Sequence, residues 1–150
     1  MTEKLKGRNS KWAPFIDILP ATYDKVVLWS DEELDELQDQ VKKQDMIHGR
    51  AEQVGTHQSF LNLMKENDIH IKGMDDLKLY QWAQAATGTR CFQVNDTIEY
   101  ALVPFADLLN HHPESPVRWK ERDGTYIMFA DGGGFERGTQ VFNNYGGEQR

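Results

Sequence analysis

The stretch that decides how this sequence is interpreted is "LVPFADLLNHH", residues 102–112, in which an apolar run leads directly into polar side chains. The polar residues are Asp107, Asn110, His111 and His112. A buried segment avoids such a cluster, because each buried polar group needs a hydrogen-bond partner. A surface loop has little use for the apolar half. The pattern therefore predicts that this segment forms a wall of a functional site.

The composition is typical of one globular domain. A chain of 150 residues is long enough for one domain with a real core and too short for two comfortable ones. Hydrophobic residues make up 39% and charged residues 27%, which excludes a disordered chain. The 17 basic residues against 24 acidic ones give a net charge of −7. This charge argues against a nucleic-acid partner, because such binding depends on Lys and Arg neutralising phosphates.

Cysteine usage and hydropathy indicate an intracellular protein without a membrane span. Cys91 is the single cysteine, which excludes an intrachain disulfide and a cysteine-based zinc cluster. This usage suits a reducing compartment, so we expect a cytoplasmic or nuclear location. No apolar run approaches the ~18 residues that a membrane helix needs. The basic N-terminus lacks the apolar core of a secretory signal.

Before about residue 90 the patterns are helical. Ser30 is followed by three acidic residues, which predicts a capped helix start and a helix running through Leu34, Leu37 and Val41. Further helices are predicted over "NSKWAPFIDILP", ended by Pro20; from about Ala51 through Met64; and over "MDDLKLYQWAQAATGTR", stopped by Gly88.

After about residue 90 the patterns indicate strands and turns. "TIEYALVPF" predicts a strand broken by Pro104. "VRWKERDGTYIMFA" predicts a hairpin that turns at Asp123-Gly124, and "TQVFNNYG" predicts a last short strand. The glycines at 132–134 lack the context of a phosphate-binding loop and are interpreted as a turn. The expected fold class is therefore α+β.

Four segments in order resemble the SET-domain protein methyltransferases, in the branch of the plant Rubisco methyltransferases and the actin-histidine methyltransferases. They are "SKWAPFIDILP", similar to S-x-W-x-P-Y-x-x-x-L-P; "LYQWAQAATGTRCF", similar to F-x-W-A-x-x-x-V-x-[ST]-R-x-F; "LVPFADLLNH"; and "GTQVFNNYGG". The resemblance implies a partial SET domain over residues 1–150. Its split β-core would carry a helical insertion at about 31–90 and a C-terminal part at about 91–146, and would be incomplete at both ends.

The resemblance also implies an activity and its residues. The activity is S-adenosylmethionine-dependent N-methylation of a protein substrate by a monomeric enzyme, on lysine first and on histidine as the second choice. Asn110 and His111 match the "NH" that lies against S-adenosylmethionine, and Tyr145 matches the tyrosine at the methyl-transfer channel. Arg90 and Asp107 match positions that face the substrate or frame the cofactor pocket. No metal is implied.

These residue types suit the chemistry of methyl transfer. The reaction is an in-line displacement, so the protein mainly aligns the acceptor nitrogen, the methyl group and the sulfur. A lysine must arrive neutral although its free pKa is about 10.4, and a partly desolvated channel beside a sulfonium lowers that pKa. The Tyr145 hydroxyl can accept from or donate to the amine without adding a charge.

Other interpretations of the same residues stay open. Asn110 and His111 could end the "ADLL" turn as a simple cap, and His112 could be a solvated loop residue. A metal site formed by Asp107, His111 and His112 is conceivable, but adjacent histidines point in divergent directions. The rival function is a protein-binding module: a catalytically incomplete SET fragment that has lost cofactor binding.

Overall fold

A computed structural model describes residues 1–93 and 100–146 and divides the chain into two compact units, Met1–Gly88 and Thr89–Arg150. The first unit is helical and the second holds two small antiparallel sheets, so the predicted α+β class is confirmed. The change in character predicted near residue 90 falls next to the boundary between the units.

The helices are α1 (Thr2–Leu5), α2 (Ala13–Ile16), α3 (Asp31–Asp35), α4 (Gln40–Glu66) and α5 (Leu77–Arg90), with 3₁₀ turns at Gly7–Asn9 and Val26–Leu28. Helix α5 runs from the first unit into the second. Within the described residues, no helix combines the length and the apolar character that a membrane span requires.

The predicted helix start at Ser30 is confirmed. The Ser30 hydroxyl accepts from the Glu33 N–H at 3.2 Å, and the Glu33 carboxylate accepts from the Ser30 N–H at 2.7 Å, which completes a capping box. The predicted continuation through Val41 is wrong, because α3 ends at Asp35. The Asp39 carboxylate accepts from two N–H groups that follow it and so starts α4 as a new helix.

Three other predicted helix limits are corrected. Helix α4 begins at Gln40 rather than near Ala51. Helix α2 ends at Ile16, before Pro20, because the N–H groups of Ile18 and Leu19 bond to carbonyls three residues back and tighten the chain into a turn. Gly88 does not stop α5, which continues to Arg90. A glycine inside a helix costs about 1 kcal/mol, which neighbouring turns can offset.

The core of the first unit lies between α4, α5 and the segment that joins them. The buried His57 ring stacks on Tyr80 with the centroids 4.7 Å apart, and its Nε2 lies 2.9 Å from the Met74 carbonyl oxygen. Trp82 Nε1 donates to the Pro20 carbonyl at 2.8 Å, and Lys4 Nζ lies 3.5 Å from the Trp82 ring centroid. These contacts hold the short N-terminal segments on α5.

The second unit contains β1 (Cys91–Gln93), β2 (Tyr100–Leu102), β3 (Val117–Arg122) and β4 (Thr125–Ala130). Strands β1 and β2 pair antiparallel, with Cys91 opposite Leu102. The part of the predicted strand at 97–99 lies outside the described residues, and β2 ends two residues before Pro104.

The predicted β3–β4 hairpin is confirmed. Val117 pairs with Ala130 and Arg122 with Thr125, so the loop consists of Asp123 and Gly124. Both loop residues have positive φ, 53° and 74°, which is the left-handed turn geometry that matches the twist of paired strands.

An aromatic cluster joins this hairpin to β1. The Tyr126 ring stacks on Trp119 at a centroid distance of 5.4 Å and lies 5.5 Å from the Phe92 ring. The Tyr126 hydroxyl is buried and has no hydrogen-bond partner among the described residues. Because burial disfavours the phenolate, desolvation raises the pKa of Tyr126 above its ordinary value.

Candidate functional site

The segment that follows β2 turns sharply before it reaches the predicted site residues. Pro104 cannot donate to a strand ladder, and Phe105 takes a positive φ of 73°, an uncommon conformation for a bulky residue. A 3₁₀ turn follows at Ala106–Leu108, with its first two residues buried. This turn directs Asp107 inward while Phe105 stays 82% exposed.

Arg90 and Asp107 form a buried ion pair within the second unit. Arg90 Nη1 donates to Asp107 Oδ2 at 3.0 Å and to the Asp107 carbonyl oxygen at 3.3 Å. The side chain of Asp107 is 1% exposed and that of Arg90 is 22% exposed. Asp107 Oδ1 has no partner among the described residues. A carboxylate buried this deeply depends on its cation, so the pair fixes the end of α5 against the 3₁₀ turn.

The two motifs of the predicted site meet in one parallel bridge between His111 and Asn143. The Asn143 N–H donates to the Asn110 carbonyl at 2.8 Å, and the His112 N–H donates to the Asn143 carbonyl at 2.9 Å. The bridge does not use the backbone groups of His111 itself. The strand predicted over residues 139–146 is wrong, because among the described residues only Asn143 pairs in this way.

Tyr145 is held on the segment that precedes the bridge. Its hydroxyl donates to the Leu109 carbonyl at 2.5 Å, and its backbone N–H donates to His111 Nδ1 at 3.1 Å. The His111 and Tyr145 rings lie 5.2 Å apart between centroids. Tyr145 nevertheless stays 59% exposed. Its ring therefore has a fixed position and an open face.

Several residues that the sequence interpretation missed support this crossing. The buried Ser115 donates through Oγ to the Phe142 carbonyl at 2.7 Å and accepts from the Val117 N–H at 3.1 Å. Asn144 Nδ2 donates to the Pro113 carbonyl at 3.0 Å. The consecutive asparagines of "FNNYG" were the available signal, because Asn favours local bonds to the backbone over strand pairing.

Asn143 is the most unusual of these residues. It is 1% exposed, yet neither its amide nitrogen nor its amide oxygen has a partner among the described residues. An amide buried in this way costs about 1–3 kcal/mol. Its backbone carries the bridge while its side chain is left unsatisfied.

The predicted site residues thus fall into two groups, both in the second unit. Arg90 and Asp107 pair with each other, and Asn110, His111 and Tyr145 come together around the bridge. Asn110, His111 and His112 are exposed at the surface. His112 Nδ1 accepts from the Glu114 N–H at 3.2 Å, so it orders its own loop. Among the described residues, no group of three or more His, Cys, Asp or Glu could hold a metal ion.

This surface offers hydrogen-bonding groups and an aromatic ring to a polar ligand. Asn110 offers an exposed side-chain amide with donors and an acceptor, and the bridge leaves the backbone groups of His111 for other partners. Tyr145 adds an exposed aromatic face beside them. Hydrogen-bond donors, acceptors and an exposed aromatic ring are therefore present on one surface.

Comparison with known proteins gives this surface a context. The ribosomal lysine N-methyltransferase set10 of Schizosaccharomyces pombe is 27% identical over 96% of the chain, which covers 27% of that protein. An Arabidopsis thaliana methyltransferase of fructose-bisphosphate aldolase lysine is 32% identical over 70% of the chain and 22% of its own length. The actin-histidine N-methyltransferase of Canis lupus familiaris is 25% identical over 69% of the chain and 19% of its own length. No family model matches the chain.

The chain is a distant relative of the SET-domain-type protein lysine and histidine methyltransferases. It spans 27% and 22% of the lengths of the first two relatives described above. The resemblance inferred from the four segments is thus matched by relatives that are named for methyl transfer to lysine and to histidine.

Proposed function

We propose that the protein methylates a nitrogen on a protein side chain, with S-adenosylmethionine as the methyl donor. Lysine is the proposed acceptor and histidine the second choice, since relatives of both kinds are similar to the chain. The observation that carries the proposal is the His111–Asn143 bridge, which brings Asn110 and Tyr145 together although 34 residues separate His111 from Tyr145.

The proposed fold context is a partial SET domain over residues 1–150. The helical insertion would span about 31–90 and the C-terminal part of the split core about 91–146. The helices that end with α5 and the strands that begin at Cys91 support this division.

The proposed cofactor contacts lie along the segment before and at the bridge. Bound S-adenosylmethionine would supply an electrophilic methyl group on a positively charged sulfur. Asn110 would bind its polar groups through the side-chain amide, and His111 would add its backbone N–H and carbonyl. The Asn110 side chain is uncharged, and a neutral His111 ring adds no charge, so neither residue would repel the positively charged sulfur.

The proposed role of Tyr145 follows from its hydroxyl. The O–H proton is already directed to the Leu109 carbonyl, so the hydroxyl oxygen presents lone pairs to an incoming group. A neutral amine can donate an N–H to that oxygen, which orients its own lone pair toward the methyl carbon. Tyr145 would thus fix the line of attack without taking a proton.

The proposed substrate contact of Arg90 and Asp107 is divided between the two residues. Asp107 is too deeply buried to reach a substrate, and its carboxylate is directed at the guanidinium. We propose that Arg90 faces the protein substrate and that Asp107 holds it there. An acidic or carbonyl-bearing segment would suit the guanidinium.

Calorimetric titration of the 150-residue chain with S-adenosylmethionine and with its demethylated product tests the cofactor proposal. Binding should be lost or strongly weakened in Asn110→Ala. His112→Ala is the matched control and should bind like the wild type. The exposed His112 side chain accepts a hydrogen bond from the Glu114 N–H in its own loop, and the substitution keeps the backbone bond from His112 to Asn143. Loss of binding in both variants, or in neither, would remove Asn110 from the site.

Transfer of a labelled methyl group to a protein substrate tests the chemical step. Tyr145→Phe should reduce kcat sharply and leave cofactor affinity nearly unchanged, because only the hydroxyl is removed. Undiminished transfer would contradict the role given to Tyr145. A folded chain that binds no cofactor would instead favour a protein-binding module.

A further inference from the structure

His111 contributes two different things to the surface around Tyr145. Its backbone lies in the bridge to Asn143, while its ring accepts a hydrogen bond from the backbone N–H of Tyr145, two residues after Asn143. The distance from Tyr145 N to His111 Nδ1 is 3.1 Å, within the usual range of an N–H···N bond. The side chain therefore has a defined partner of its own.

The identity of that partner fixes the protonation of the ring. A backbone N–H can only donate, so His111 Nδ1 must accept and cannot carry a proton. A neutral imidazole holds one proton, which then sits on Nε2. Tautomers are usually assigned from ambiguous networks, but a backbone amide leaves one choice here.

We propose that the His111 side chain is a positioning residue for Tyr145: by accepting the Tyr145 N–H at Nδ1, it sets where the tyrosine hydroxyl lies. The inference deepens the proposed function, and its catalytic consequence rests on that function. It assigns the ring of His111 to Tyr145 and leaves any cofactor contact of this residue to its backbone or to Nε2–H.

Two anchors hold Tyr145 to one short stretch of chain. The hydroxyl bonds to the Leu109 carbonyl at 2.5 Å and the backbone N–H bonds to His111 two residues later. One anchor fixes the far end of the side chain and the other fixes its base, so together they define the direction of the ring. With the Nδ1 acceptor removed, the base is free and the hydroxyl bond alone holds an exposed residue.

Because this contact is exposed, losing it should change the position of Tyr145 more than the stability of the fold. Tyr145 is 59% exposed, so water can replace Nδ1 as the acceptor when the ring is changed. The unfolding midpoint should therefore move little. The position of the hydroxyl should change much more, because a water molecule imposes no direction on the backbone.

Two substitutions distinguish the effect of the aromatic ring from the effect of the Nδ1 acceptor. His111→Phe keeps an aromatic ring that can lie against Tyr145 and removes the nitrogen. His111→Asn removes the ring but places an amide oxygen close to the former position of Nδ1. If the acceptor is what matters, Asn should rescue what Phe loses; if ring contact is what matters, the order should reverse.

The first measurement needs neither cofactor nor substrate. Hydrogen exchange at the Tyr145 amide should speed up by roughly two- to tenfold in His111→Phe, the factor expected for one lost hydrogen bond. It should stay near the wild-type rate in His111→Asn. Nitrogen-15 spectra of histidine-labelled chain should show the Nε2–H tautomer for His111. An Nδ1–H tautomer, or an exchange rate unchanged in His111→Phe, would overturn the proposal.

The second measurement is methyl transfer by the same variants. His111→Phe should lower kcat while leaving the KM for the protein substrate close to that of the wild type, and His111→Asn should recover part of the loss. Protection of the Tyr145 amide in a chain that transfers no methyl group would leave the positioning intact and refute the function. Transfer that is undiminished in His111→Phe would refute the positioning and leave the function standing.

Discussion

Replacing the buried Asn143 with leucine should stabilise the second unit. The side chain is 1% exposed, and both polar atoms of its amide lack a partner among the described residues. Burying such an amide costs about 1–3 kcal/mol, whereas an apolar group of similar size carries no such cost. Imperfect fit of the leucine branch costs up to about 1.5 kcal/mol. We therefore expect Asn143→Leu to raise the free energy of unfolding by about 1 kcal/mol.

The neighbouring Asn144 provides the matched control. Its amide nitrogen donates to the Pro113 carbonyl at 3.0 Å, and its amide oxygen accepts from the Gly146 N–H at 3.0 Å. Asn144→Leu removes both bonds, each contributing about 0.5–1.5 kcal/mol, so it should destabilise by about 1–3 kcal/mol. The same substitution at adjacent positions should thus have opposite signs.

Hydrogen exchange at the His112 and Asn143 amides is the suitable assay, because both amides donate in the bridge and report opening of this region alone. Exchange should slow in Asn143→Leu and accelerate in Asn144→Leu, and urea unfolding should follow the same order. If Asn143→Leu destabilises as much as Asn144→Leu, the Asn143 amide is hydrogen-bonded in solution and the reasoning is refuted.

Three further predictions concern the ion pair, the tyrosine of the aromatic cluster and the capping box. Arg90→Met should lower the free energy of unfolding by about 3–5 kcal/mol in urea titrations, because it leaves the Asp107 carboxylate buried without its cation. Arg122→Met is the control: it breaks a pair whose side chains are 73% and 92% exposed, so it should change the free energy of unfolding by less than about 1 kcal/mol. The pKa of Tyr126 is raised in the folded state, so the stability that its neutral hydroxyl contributes is complete below the unfolded pKa of about 10 and is lost as the pH rises through the folded value. The loss of stability at alkaline pH should therefore be smaller in Tyr126→Phe than in the wild type, as measured by urea unfolding at increasing pH. Ser30→Ala should lower the free energy of unfolding by about 1 kcal/mol in thermal unfolding, because it removes a helix cap. Ser59→Ala is the control: it removes a bond to the Gly55 carbonyl inside α4 and should lower the free energy of unfolding by less than about 0.5 kcal/mol.

Local signals in the sequence predicted the elements that depend on local chemistry. The capping box at Ser30 and the turn at Asp123-Gly124 are both present, because each is specified by residues within four positions of each other. The predicted helix through Val41 failed for the same kind of reason. Asp39 is itself a strong cap, and it starts a second helix where the apolar spacing alone indicated continuity.

Tertiary contacts decided the elements that the sequence did not predict. "TQVFNNYG" has the composition of a strand, yet its backbone bonds to side chains and to one bridge. Gly88 is typical of a helix stop, but α5 extends to Arg90, whose guanidinium bonds to Asp107. In both cases the deciding partner lies at least 17 residues away along the chain, beyond the reach of any periodicity.

The candidate site shows a further limit of prediction from sequence. A motif identifies a residue but does not say whether its backbone or its side chain makes the functional contact. The resemblance identified His111 as a cofactor contact and Arg90 and Asp107 as substrate contacts. The distances divide these roles by atom: the His111 ring accepts from Tyr145, the His111 backbone lies at the bridge, and the Asp107 carboxylate is directed at Arg90. A substitution that removes a whole side chain therefore tests only part of each role. Variants that remove one acceptor and keep the rest, such as His111→Phe beside His111→Asn, are the ones that can separate binding from positioning.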